Sequence, residues 1–252
     1  MKTTIITMTT AFLLACGQAF AAYSPELQAK AEQGDAAAQY ELGECYMYAH
    51  GVKLDRQEAV KWCRKAAEQG YAPAQDRLGH WYGLGEGVEM DEVESHKWWR
   101  KAAEQGYAPA QCNLGECYMY ARGVKLDSQE AAKWCRKAAE QGYAPAQDWL
   151  GRWYGLGEGV EMDEVESYKW YRKAAEQGYA PAQYELGKCY WCGAGVEKDL
   201  IQAARWLCKA LEQDDDIESW YIPDEIKEEL RQAAEKGDAE AQAELRKLES
   251  RE

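Results

Sequence analysis

Glycine stands at positions 34, 70, 106, 142 and 178, and leucine at 42, 78, 114, 150 and 186, each series advancing by 36 residues. A strict period of that length overrides the one-or-two-domain expectation for 252 residues. One such repeat cannot bury an apolar face by itself, so copies must stack and share a continuous core. A second period lies above the first: residues 42–111 and 114–183 differ at only seven positions. These are His50/Arg122, Arg56/Ser128, Val60/Ala132, Arg77/Trp149, His80/Arg152, His96/Tyr168 and Trp99/Tyr171. The pattern is that of a duplicated two-repeat block.

Within a unit, Ala38, Leu42, Cys45, Tyr46 and Ala49 form one helical stripe. The turn HGVKLD ends on Asp55, placed to cap a second helix, and the aspartate returns as Asp91, Asp127, Asp163 and Asp199. Ala59, Trp62, Cys63, Ala66 and Ala67 give that helix its apolar face, and Gly70 supplies its C′ position. Pro73, Pro109, Pro145 and Pro181 then open the next helix, where a missing N–H costs nothing. The tryptophans at 62, 98, 134, 170 and 206 are expected in the core. The expected fold is all-α: a solenoid of helix-turn-helix repeats wound into a right-handed superhelix. Residues 22–252 form a single domain, with a cap helix over 22–33 and repeats at 34–69, 70–105, 106–141, 142–177 and 178–213. Residues 214–252 supply an acidic loop and C-terminal capping helices, and Arg246 replaces the repeat glycine where the stack ends.

Residues 1–21 read as a secretory signal, with Lys2 followed by an apolar run too short to span a bilayer. Ala19-Phe20-Ala21 predicts cleavage after Ala21, giving an exported protein, periplasmic or secreted, with no transmembrane span. Leu13-Leu14-Ala15-Cys16 resembles a bacterial lipobox, and lipidation at Cys16 is the alternative. The net charge of −14 opposes binding to nucleic acid or an anionic membrane.

The recurring AEQGYAPAQ, the LG two residues on, the GV-x2-D turn and the closing WYRKAAEQG resemble Sel1-like repeats, relatives of tetratricopeptide repeats. The resemblance covers residues 24–213 and, weakly, 225–248. Ser95 and Ser167 depart from it where a small alanine is usual, as do residues 214–222 and the cysteines. It implies a superhelical adaptor for proteins or cell-wall components. Exported cysteine-containing relatives imply helix-to-helix disulfides within repeats, and some are associated with penicillin binding or weak β-lactamase activity.

Eight cysteines follow the leader, and an even count in an oxidising compartment favours disulfides. Positions 45 and 63 switch together: Cys with Cys in the first and third repeats, aromatic with aromatic in the second and fourth. Such co-switching predicts contact, hence Cys45–Cys63 and Cys117–Cys135 bonds. In the fifth repeat Cys189 is paired with Cys208 in preference to Cys192. Cys112 and Cys192 remain as thiols, and Cys189-Tyr-Trp-Cys192 could serve redox chemistry or an intermolecular bond. No second CxxC or histidine cluster suggests a metal, and no cofactor is expected.

The histidines at 50, 80 and 96 change identity in the duplicate, as surface positions do. No Ser-x-x-Lys follows the leader, so a serine β-lactamase nucleophile has no usual setting. A catalytic residue is therefore not expected. The positions that vary inside the constant frame are Glu41, Arg77, Asn113, Trp149 and Glu185, and, three residues on, Glu44, His80, Glu116, Arg152 and Lys188. Both series are expected on the exposed face of the first helices, lining a concave groove for a protein or peptide, a cell-envelope component included. Trp149 beside Arg152 is the expected anchor. A β-lactam-active enzyme and a secreted host-directed effector are the alternatives.

Overall fold

A computed structural model describes residues 22–213 and 222–249; the signal peptide, Cys16 and most of the acidic loop lie outside the described residues. Within them are thirteen helices and no strand. Helix α1 (Pro25–Glu32) is followed by α2 (Ala36–Tyr48), α3 (Arg56–Glu68), α4 (Ala72–Leu84) and α5 (Glu92–Glu104). Then come α6 (Ala108–Tyr120), α7 (Ser128–Glu140), α8 (Ala144–Leu156), α9 (Glu164–Glu176), α10 (Ala180–Cys192) and α11 (Leu200–Gln213). The chain closes with α12 (Asp224–Glu235) and α13 (Ala239–Glu249). The chain gathers into two compact units that divide between Ala102 and Ala103, inside α5.

The predicted caps are in place. Asp55, Asp91 and Asp127 each accept the backbone N–H three residues on at 2.9 Å, satisfying one orphan donor of the helix start. Second helices stop at a left-handed glycine, as at Gly70 (φ 92°) and Gly142 (φ 90°). First helices stop in the same region, at Gly85 and Gly157 in the second and fourth repeats but at Ala49 (φ 59°) and Ala121 (φ 57°) in the first and third. A Cβ is disfavoured there by about 1 kcal/mol. Ala49→Gly and Ala121→Gly are each expected to stabilise the protein by about that amount, seen as a higher urea midpoint.

One buried amide joins successive repeats. Gln39 donates to the Ala31 carbonyl at 3.0 Å, and Gln75 to Ala67 at 2.9 Å. In the second unit Gln147 and Gln183 repeat the bond to Ala139 and Ala175. The AxQ of each repeat thus gives a second donor to a carbonyl at the end of the preceding second helix, which already accepts the N–H of the terminating glycine, as Ala67 does from Gly70.

In the first unit, Leu27 and Ala31 of α1 pack with Ala38, Leu42 and Cys45 of α2, so the half-repeat covers the first stripe. A second cluster joins Cys63, Ala66 and Ala67 of α3 to Ala74, Leu78 and Trp81 of α4. In the second unit α6 to α11 pack successively, and Ile226 and Leu230 of α12 close over Ala203, Ala204 and Leu207 of α11. Within a repeat the two helices meet at glycine. A Cβ on Gly79 would lie 2.6 Å from the Trp99 ring, and one on Gly151 2.6 Å from Tyr171. Ser95 and Ser167 donate to the carbonyls of those same glycines at 2.6 Å, which accounts for serine where alanine is usual.

Two expectations need correction. Trp98 and Trp170 are buried, but Trp62, Trp134 and Trp206 are half-buried, with Lys65, Lys137 and Lys209 held 3.7, 3.9 and 4.4 Å from their ring centroids. His96 is buried rather than on the surface, and burial, then the nearby Arg100, holds its imidazole below the usual histidine pKa.

Candidate partner-binding face

The varied residues sit on the first helices, but they do not form one exposed row. In the first unit Glu44 of α2 has no exposed surface, contrary to expectation, because Arg77 of α4 lies over it. The Arg77 Nε is 3.1 Å from Glu44 Oε1, and its Nη2 donates to the Tyr40 hydroxyl at 3.4 Å. Burial raises the Glu44 carboxyl to about 7, although the Arg77 guanidinium pulls it down. Arg77 is correspondingly mostly buried and serves the stacking of one repeat on the next. Glu41 and His80 remain half-exposed. His80 lies 3.7 Å from Asp76 and meets the edge of Trp99 at 5.2 Å between centroids; burial holds it below the ordinary histidine range, with Asp76 opposing.

The duplicate solves the same contact with other chemistry. In the second unit Trp149 of α8 donates its indole N–H to Glu116 of α6 at 3.1 Å, where the first unit uses an ion pair. Cys112 occupies the position of Tyr40 and belongs to the cluster against which Trp149 packs. The larger residue at 149 thus comes with the smaller one at 112, and the variation is in part repeat-to-repeat packing. Glu116 also faces Arg122 Nη1 at 3.6 Å; burial raises its pKa while Arg122 and the indole bond lower it.

Around Trp149 the surface opens. Tyr120, 42 % exposed, meets it edge-on at 6.0 Å, and Arg152, also exposed, holds its guanidinium 5.6 Å from the Trp149 centroid. Arg122 sits 5.3 Å from the Tyr120 ring with half of its side chain in solvent. Lys188 of α10 pairs with Glu185 at 2.8 Å, and both are half-exposed, as is Asn113. Beneath them Asp148 Oδ1 is buried without a hydrogen-bond partner, and burial, then Glu185, raises that carboxyl to about 7. The acids therefore lie underneath, while Tyr, Trp and Arg face outward. Tyr120 and Arg122 escaped the sequence reading. The signal was present, because Arg122 is one of the seven differences and stands where its copy has His50.

The predicted cysteine pairs are not bonded among the described residues. Cys45 lies in the cluster formed with α1, and Cys63 in the one formed with α4. Cys63 Sγ donates to the Ala74 carbonyl at 3.4 Å, and Cys135 Sγ to Ala146 at 3.2 Å, each toward the following helix. Cys189 and Cys208 likewise fall in different clusters, Cys192 is exposed, and no disulfide is formed among the described residues. No group of three His, Cys, Asp or Glu there could hold a metal ion, and no helix there is long and apolar enough to cross a membrane.

The family described as the Sel1 repeat matches residues 36–71, 72–107, 108–143, 144–179 and 180–215, in a frame that opens at Ala36 rather than Gly34. Among solved structures, an Escherichia coli protein, c5321, described as a protective antigen with an SLR fold, is 37% identical with a TM-score of 0.70. The match covers 87% of this chain and 50% of that protein, so the chain spans half its length. A Sel1 repeat protein from Oxalobacter formigenes is 33% identical, TM-score 0.70, with 82% of each chain covered. No curated protein matches the chain.

Proposed function

Since the chain belongs to the Sel1 repeat family, we propose that it is an exported, non-catalytic scaffold that binds a protein or peptide along the first-helix face of its second unit. The observation that carries this reading is the group formed by Tyr120, Trp149, Arg122 and Arg152. Residues of these types dominate binding energy when they are desolvated by a partner. Trp149 is pre-positioned by its bond to Glu116, so little side-chain entropy is lost on association. Export rests on the leader at residues 1–21, and the compartment is periplasmic or extracellular.

Arg122→Glu combined with Arg152→Glu tests the site, since both side chains reach solvent and neither holds the core. Recovery of the native partner in a pull-down is expected to fall at least about tenfold, a loss of about 1.4 kcal/mol. Undiminished recovery by the folded variant would sink the assignment. The purified protein is expected to leave nitrocefin intact; turnover would move the function to β-lactam chemistry.

A further inference from the structure

The third repeat contains a sulfur pair that the co-switching positions do not reveal. Cys112 on α6 and Cys135 on α7 are both buried and belong to one core cluster. Gly115, three residues on from Cys112 and on the same face of α6, would place a Cβ 3.4 Å from the Cys135 Cβ, so Cys112 and Cys135 face each other across the helix pair, and the Cys135 thiol donates to the Ala146 carbonyl. In the other repeats position 112 is filled by Tyr40, Asp76, Asp148 and Tyr184, so the juxtaposition occurs once. Cys117 cannot share it: five residues along a helix turn the side chain about 140° away from the direction of Cys112.

We propose that Cys112 and Cys135 form a disulfide that staples α6 to α7, in place of a Cys117–Cys135 bond. A sulfur–sulfur bond of about 2.05 Å between them would link α6 to α7 covalently. Two S–H bonds break and one S–S bond forms. The two protons and two electrons pass to the disulfide of an external oxidant such as oxidised glutathione, which leaves as two thiols. Burial shields the folded pair, and the neighbouring Cys135, then burial, keep the Cys112 thiol protonated, so the bond forms while the chain folds.

The full chain is refolded from denaturant in a glutathione redox buffer, remaining thiols are blocked under denaturing conditions, and the protein is cut with trypsin. The peptide 102–122, which carries both Cys112 and Cys117, is expected joined to Trp-Cys-Arg and two hydrogens lighter than the separate peptides; because 62–64 and 134–136 share that sequence, the Cys63→Ser variant, which should retain the joined species, assigns it to Cys135. Cys117→Ser should retain the joined species and Cys112→Ser should lose it. Fragmentation of the wild-type species assigns the sulfur directly if a variant fails to fold. A bond mapped to Cys117, or Cys112 and Cys135 both recovered blocked, overturns the proposal.

Discussion

Arg77→Ala is expected to destabilise the first unit by about 3–5 kcal/mol, the cost of leaving a buried charge without its partner. Glu44 has no exposed surface, and the Arg77 guanidinium pairs with it at 3.1 Å. Proton uptake limits the damage. Because the folded-state pKa of Glu44 is raised to about 7 from an ordinary value of 4.5, its contribution is fully present below 4.5 and is lost as pH rises through about 7. The penalty of Arg77→Ala should therefore be smaller at pH 5 than at pH 8, and Glu44→Gln should flatten that difference. Urea midpoints at the two pH values read both effects. The duplicate supplies a rescue: Arg77→Trp with Tyr40→Cys installs the Trp149–Glu116 arrangement and should recover most of the loss.

Gly159→Ala is expected to cost as much for an unrelated reason. Gly159 has a φ of +70°, and a Cβ there would lie 2.0 Å from the Ser128 carbonyl oxygen at the start of α7. Backbone cannot yield as a side chain can, so the turn must move off α7, at about 3–5 kcal/mol. Gly142→Ala is the matched control. Its φ is +90°, but nothing lies within 4 Å, so only the left-handed penalty of about 1–2 kcal/mol applies. Equal losses at the two positions would contradict the close approach.

The frame of the fold was legible because capping and termination are local. Asp55 and its copies cap, the glycines at the 36-residue interval terminate, and both roles need only a few residues of context. Stacking is not local, and there the reading failed. Glu44 falls outside the apolar stripe of α2, yet Arg77 from the next repeat covers it, which no single helix pattern shows. The cysteines failed for a geometric reason. Cys63 packs against Gly43, whose added Cβ would sit 3.4 Å from the Cys63 Cβ, and Cys45 is two residues on, about 200° around α2. The candidate face was half legible: Trp149 and Arg152 could be picked out by their variation, whereas Tyr120 joined them only once α6 and α8 were packed.

A partner docked on the first helices of the second unit must come within reach of Arg152 on α8. A photo-crosslinking amino acid in place of Arg152 on α8, compared with one in place of Lys169 on α9, tests it most directly in the native cell. Both positions are exposed. Adducts with a discrete partner from position 152 and none from 169 are predicted; adducts from 169 alone would contradict it.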